Sequence, residues 1–222
     1  MARESRSPLK DAEGIEEWLD LIDQALQGLH HALNNRIGSL SALIELLRLD
    51  GLPSDGTGFD GLTSELLRLE DCSRLVRLLP GDSSADAEPL ILDDVLADVF
   101  LIHRFLHAVR EVPVTIVPVR FVEPVRVERW AVLRVLTLLL NDAKRLAGQL
   151  GEAARIVAES DDQWVSVEFR VGTPAVHEVP VSGRGRYSET VARSFGGTVS
   201  RAAGVVALRM PTLKALRAAD RQ

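Results

Sequence analysis

Ten residues near the start of the chain, Leu29-His30-His31-Ala32-Leu33-Asn34-Asn35-Arg36-Ile37-Gly38, hold most of the chemistry the sequence can offer. Two imidazoles stand side by side, and two side-chain amides follow one helical turn later. A neutral imidazole has one basic nitrogen, and its ordinary pKa near 6.5 leaves most of it unprotonated at neutral pH. Such a ring can attack phosphorus and later release the phosphoryl group. Phosphoryl transfer asks for positioning and charge neutralisation more than for elaborate side-chain chemistry. An exposed histidine on a rigid helix meets that requirement.

The helix is written in the apolar spacing. Ile15, Leu19, Ile22, Leu26, Leu29, Leu33, Ile37, Leu40, Ile44 and Leu47 recur every three or four positions, which predicts one amphipathic helix over about 11–50. At 100° per residue from Leu29, the stripe centres near roughly 20–40° and His31 falls at about 200°, almost opposite it. His30 falls at about 100°, on the flank, so His31 is the preferred acceptor and His30 the alternative. Gln27, Asn34, Asn35 and Gly38 gather around His31, with Gly28 nearby. Each glycine costs a helix roughly 1 kcal/mol relative to alanine. Two of them beside one histidine predict that something approaches the helix backbone closely, so Gln27, Gly28 and Gly38 are assigned to a partner-docking surface. Arg36 borders the stripe, placed either to snorkel or to pair with a carboxylate.

The positioning elements follow in order. Residues 51–60 read as a turn, with Asp60 placed to cap a second helix striped by Leu62, Leu66, Leu69, Cys72, Val76 and Leu79. Two such helices form an antiparallel hairpin, and two hairpins bury both stripes as a four-helix bundle, which predicts a homodimer. Cys72 reads as a small core residue, and as the single cysteine it can form no internal disulfide. Thereafter helices are predicted over 92–109 and 129–150 and strands over 114–117, 125–127, 155–159, 164–171, 198–201 and 205–210. A glycine-containing loop over 182–185 leads into a short helix ending near Phe195. Pro113 and Pro118 suit the first strand to a sheet edge. The expected fold class is α+β: the hairpin, then a two-layer α/β sandwich with helices on one side of a mixed sheet. The division is 1–10 disordered, 11–80 hairpin, 81–89 linker, 90–212 sandwich and 213–222 helical tail.

Composition limits the function classes. The 222 residues carry a net charge of -6 with 46% hydrophobic residues, ordinary for a globular protein, and no basic stripe points to nucleic acid. The longest apolar run, 131–140, is broken by Arg134 and is too short to span a bilayer. The first residues lack the apolar core of a signal peptide, so a cytoplasmic location is expected, with no membrane partner.

Together these residues resemble the dimerisation and phosphoacceptor domain of bacterial two-component histidine kinases. In that family the acceptor histidine is followed by a carboxylate or small residue, with Asn or Thr four positions on. His31-Ala32-Leu33-Asn34-Asn35 matches that register. The resemblance extends over roughly residues 15–212, because in the family an ATP-binding α/β sandwich follows the hairpin. Leu133 to Lys144 resembles the first helix motif of that domain, whose asparagine binds magnesium, with Asn141 and Lys144 in register. Gly183-Arg-Gly185 resembles a remnant of the phosphate loop. Ser194-Phe-Gly196-Gly197-Thr-Val resembles the turn into the closing strands, and Leu208-Arg-Met-Pro211 the usual strand end.

The departures are informative. The family's Asp-x-Gly-x-Gly box has no aspartate in Val167-Glu-Phe-Arg-Val-Gly-Thr-Pro174, so adenine would lose a charge-assisted hydrogen bond. The segment before Gly183 is too short for a nucleotide lid, and Arg186 and Tyr187 stand where later glycines belong. Ala32 replaces the carboxylate that helps activate the histidine. The resemblance therefore points away from autophosphorylation and toward the ChpT-like dimeric histidine phosphotransferases of phosphorelays. These take a phosphoryl group from one receiver-domain aspartate and pass it to another. On this reading His31 is the acceptor, with Asn35 and Asn34 beside it. Asn141, Lys144, Gly183 and Gly185 are vestigial, no cofactor binds tightly, and Mg2+ comes from the receiver. The alternatives are a divergent autokinase, an aspartyl-phosphate phosphatase in which Asn35 places water, or a non-catalytic receiver-binding scaffold.

Other residues are read more simply. His103 and His107 have the spacing of a two-histidine metal clamp but no third ligand, so no metal is expected. His177 is a loop residue. Trp18, Trp130 and Trp164 are packing residues. Arg184 and Arg186 belong to a solvated loop.

Overall fold

The computed structural model of the chain describes residues 8–50, 57–78, 87–117, 122–172, 185–202 and 204–219. Helix α1 spans Pro8–Asp50 and α2 spans Thr57–Leu78. They are antiparallel, since Gly61 lies against Leu43 while Glu65 pairs with Arg36. Helix α1 begins inside the stretch expected to be disordered. Proline at the first helical position sacrifices no hydrogen bond and comes with a suitable φ. Asp60 lies in the first turn of α2 rather than at its cap. There its charge complements the positive end of the helix dipole.

The second half is α+β. Strand β1 (Glu88–Leu90) pairs antiparallel with β3 (Val125–Val127) as a separate ribbon. This corrects the expected linker over 81–89, because the sandwich begins at Glu88. The main sheet contains β2 (Val114–Ile116), β4 (Ala154–Ser160), β5 (Trp164–Val171), β6 (Thr198–Ala202) and β7 (Val205–Pro211) in the order β2-β4-β5-β7-β6. Strand β2 is an edge, parallel to β4, and the other pairings are antiparallel, so the sheet is mixed. Pro118, beyond β2, lies outside the described residues.

Helix α4 (Arg129–Leu150) covers this sheet, its Leu133, Leu136, Leu139 and Leu140 buried in one core with Val165, Val167, Phe169 and Val171 of β5. The alternate β5 residues, Trp164, Ser166, Glu168 and Arg170, are only half-buried, so helices cover one face. Gly151 ends α4 in the left-handed conformation at φ 68°, which glycine adopts without steric cost. Helix α5 (Gly185–Ser194) packs beside α4, and α6 (Leu213–Ala219) packs against β3. Thr212, fully buried, accepts the Ala215 amide at 3.0 Å and so caps α6.

Helix α3 (Leu92–Arg104) stops short of the expected 109. Its last turn tightens, with the Phe105 amide bonding back to the Ile102 carbonyl, and a separate turn then ties Arg110 to Leu106. Leu106 and Val109 remain buried, so the apolar period outlasts the helix that produced it.

The hairpin is not free of the sandwich. Trp18, Leu21, Ala25 and Leu29 of α1 are buried, and the Arg134 guanidinium of α4 stacks 5.8 Å from the Trp18 ring centroid. Asp98 of α3 accepts hydrogen bonds from Arg74 of α2 and Arg129 of α4. Of the expected stripe only Leu29 is among these buried residues, while Ile15, Leu19, Leu26, Ile37 and Ile44 are exposed, so the face that α1 buries within the chain is rotated from the predicted one. Cys72 packs in this core, and burial pushes its thiol pKa up. Among the described residues no helix is long and apolar enough to cross a membrane.

His103 of α3 is buried and donates from Nε2 to the Thr137 carbonyl at 3.0 Å, while Nδ1 has no partner among the described residues. Burial, opposed by that hydrogen bond and helped by the Lys144 charge, lowers its pKa to about 3. The folded chain therefore binds a proton here less readily than the unfolded chain. This contribution to stability is complete above the unfolded value near 6.5 and is lost as pH falls toward the folded value. The expected slope is about 1.4 kcal/mol per pH unit inside that window. Urea unfolding at pH ~6.5 and ~4.5 should show a stability loss that is about 2–3 kcal/mol smaller in His103→Leu than in the parent.

Candidate functional site

Helix α1 carries Gln27, His30, His31, Asn34, Asn35 and Gly38 on an exposed face. Each histidine meets the amide one turn later: Asn35 Nδ2 lies 3.1 Å from His31 Nε2, and Asn34 Nδ2 lies 3.4 Å from His30 Nε2. When the ring proton is on Nδ1, the amide N–H donates to the Nε2 lone pair. In that tautomer the exposed Asn35 amide covers the Nε2 lone pair of His31 and must swing aside before the ring can attack phosphorus.

The surroundings separate the two histidines. His31 borders an open cavity of about 410 Å³ that His30 does not reach. One side of the cavity belongs to the hairpin, with Asn35, Arg36 and Arg68. The other belongs to the end of α3 and the turns after it, with Arg104, His107 and Arg110. The His31 and His107 rings meet edge to face, 5.6 Å between centroids at 64°. Arg36 pairs with the Glu65 carboxylate at 3.2 Å, and Arg68 reaches the same carboxylate at 2.6 Å. This resolves the role of Arg36. Arg104 pairs with Asp71 at 2.7 Å.

The two glycines part company. A Cβ on Gly28 would fall 1.9 Å from the Phe105 carbonyl oxygen, so the close approach predicted there is made by the chain's own backbone. Gly28 is buried, and its assignment to an external docking surface is corrected accordingly. A Cβ on Gly38 would meet nothing within 4 Å, and Gly38 remains open. Arg104, His107 and Arg110 were missed as site residues. Their only trace in the sequence was Gly28, which announced a neighbour without naming it.

The other assigned residues lie elsewhere. Asn141 is half-buried on α4. Its neighbour Asp142 faces Arg201 at 3.7 Å, and Arg201 also donates to Glu189 and to Ser188 Oγ, each at 3.0 Å. Lys144 is buried, and the cost of desolvating its charge lowers its pKa. Gly185 opens α5, whereas Gly183, His177 and Arg184 lie outside the described residues. His103 and His107 are not a clamp, since the first is buried and the second exposed. No group of three His, Cys, Asp or Glu side chains among the described residues is arranged to hold a metal ion. Trp18 is buried and Trp130 packs against the core. Trp164 lies under the Arg209 guanidinium at 5.3 Å.

No protein-family model matches the chain, and no curated protein matches it. Solved structures similar to it include the Acinetobacter baumannii histidine kinase AdeS, at 15% identity and TM-score 0.44 over 82% of this chain and 98% of that one. Full-length ShkA, solved in complex with AMPPNP, is similar at 14% identity and TM-score 0.45 over 86% of this chain, which spans 46% of ShkA. The mycobacterial sensor histidine kinase MprB is similar at 16% identity and TM-score 0.41 over 57% of this chain and 97% of that one.

Proposed function

We propose that this chain is a histidine phosphotransferase of a two-component phosphorelay, with His31 as the residue that carries the phosphoryl group between receiver domains. The observation that carries the reading is an exposed imidazole on α1 with the Asn35 amide 3.1 Å from its Nε2. In the forward step that lone pair attacks phosphorus of a receiver's aspartyl phosphate. The N–P bond forms, the P–O bond to the aspartate breaks, and the carboxylate leaves with the electron pair. The ring keeps its Nδ1 proton and releases it to solvent as pH allows. The reverse step, onto a second receiver, regenerates the neutral ring. Charge neutralisation by a divalent cation belongs to the receiver's acidic pocket, and no step draws on a nucleotide.

The test is incubation with a phosphorylated receiver domain. Acid-labile label on His31 supports the relay. Label arriving directly from ATP would replace the proposal with an autokinase, and receiver dephosphorylation without label would replace it with a phosphatase. Tight receiver binding without either reaction would leave a scaffold.

The working form we propose is a homodimer. Ile37, Ile44, Leu66 and Val76 are each more than half exposed in the single chain, although they lie on the hairpin's apolar stripes. A second hairpin would bury them as a four-helix bundle. Sedimentation equilibrium should give twice the mass of one chain. Ile37→Glu combined with Leu66→Glu should give a folded monomer, because the dimer would bury unpaired charges that one chain exposes.

A further inference from the structure

We propose that the sandwich supplies half of an anion-binding recess at His31, in which Arg104, His107 and Arg110 hold the phosphoryl group once it is on the ring. The inference rests on His31 being the acceptor and assigns it a phosphoryl-binding partner set from the other half of the chain. Three observations carry it.

The first is position. The His31 and His107 rings are in contact, and both line one cavity that is open to solvent, so a phosphoryl group on the His31 ring is within reach of the residues around that cavity. Contact between the two halves is built in, since a side chain at residue 28 would collide with the Phe105 carbonyl. The second is charge. The cavity is lined by four guanidiniums, Arg36, Arg68, Arg104 and Arg110, against one carboxylate, Asp71. Just behind it, Glu65 engages Arg36 and Arg68, and Glu111 engages Arg110 at 2.8 Å. An arriving phosphoryl group brings two negative charges where cations outnumber anions. The third is freedom to respond. The Arg104 and Arg110 side chains are 66% and 48% exposed, and their present partners are surface carboxylates. Exchanging a solvated carboxylate for a phosphoryl oxygen costs little, and a guanidinium offers the oxygens a matching pair of N–H donors. His107 adds a ring N–H at the same edge.

This arrangement divides the labour along α1. The sandwich occupies the Gly28 side of His31, and the open helix from Asn34 to Gly38 is left for the receiver. The sandwich then does more than brace the hairpin, because it sets how strongly the chain holds phosphate relative to its donors.

An equilibrium measurement tests this. Docking of a receiver alters how fast phosphate moves, whereas the end-point partition between receiver and His31 reports the stability of the phosphorylated forms. Parent, His107→Ala and Arg104→Gln/Arg110→Gln chains are mixed with a phosphorylated receiver and followed to constant acid-labile label. Each is also charged with phosphoramidate, a donor that needs no docking. The double arginine variant is expected to shift the partition toward the receiver by about five- to tenfold. Arg104→Lys/Arg110→Lys should recover part of the shift, since it keeps the charges and loses the forks. The 31P resonance of the phosphohistidine should move in both glutamine and alanine variants. A parent chain that takes phosphate from neither donor removes the acceptor reading itself. A parent that is charged normally while every variant reaches the same partition with an unmoved 31P resonance removes the recess and leaves the acceptor in place.

Discussion

His31→Gln should leave the chain folded yet unable to retain any acid-labile phosphate from a phosphorylated receiver. The side chain is exposed, at the edge of the face of α1 that packs on the rest of the chain, so the substitution should change stability by no more than about 0.5 kcal/mol. Glutamine keeps polarity and length but has no basic nitrogen, so the attacking lone pair is gone and no covalent intermediate forms. The expected drop is to background. His30→Gln is the matched control. It has the same geometry to an amide one turn on, at 3.4 Å to Asn34, but it faces away from the cavity shared with His107. It should retain most of the label. The reverse pattern, with label lost in His30→Gln and kept in His31→Gln, would move the acceptor by one residue and with it the recess. Circular dichroism and urea unfolding of both variants separate lost chemistry from lost structure.

What the sequence disclosed about this site depended on the range of the interactions involved. Helix α4 and strand β5 match their expected bounds, since each is an uninterrupted period whose apolar positions all point the same way. The wheel position of His31 was also legible, because it depends only on helix geometry and on neighbours within a turn. Strand β1 was not: three residues, of which only Leu90 is buried, give no alternation to read, and flanking turn residues made the segment look like a linker. The end of α3 was hidden for the opposite reason. Leu106 and Val109 keep the apolar spacing after the hydrogen-bond pattern has changed to isolated turns. His107 and its arginines meet His31 only through the docking of two separately patterned halves. Local spacing carries no record of that contact beyond the missing side chain at Gly28.

The docking of those halves should depend most on Asp98. Its carboxylate is almost completely buried, and it receives Arg74 from the hairpin on one oxygen and Arg129 from α4 on the other, both at 2.5 Å. Removing a single arginine leaves one charge-assisted hydrogen bond and should cost about 1–2 kcal/mol. Removing both, in Arg74→Ala/Arg129→Ala, leaves a buried carboxylate with neither partner and should cost about 3–5 kcal/mol, more than the singles added together. Asp98→Asn keeps the shape and removes the charge. Its cost should fall between these, because Arg74 and Arg129 are half and one-third exposed and can return to water. Urea denaturation of the four variants checks the order. A double variant that is merely additive would mean that the two arginines act on Asp98 independently. Arg74→Ala carries a further consequence, since it cuts the ion pair between hairpin and sandwich without touching the recess. If that pair helps keep the His107 turn against α1, Arg74→Ala should shift the phosphate partition toward the receiver in the same sense as the recess variants, by a smaller factor. A change in stability with an unmoved partition would show that the packing of Phe105 on Gly28 is sufficient to hold the turn in place.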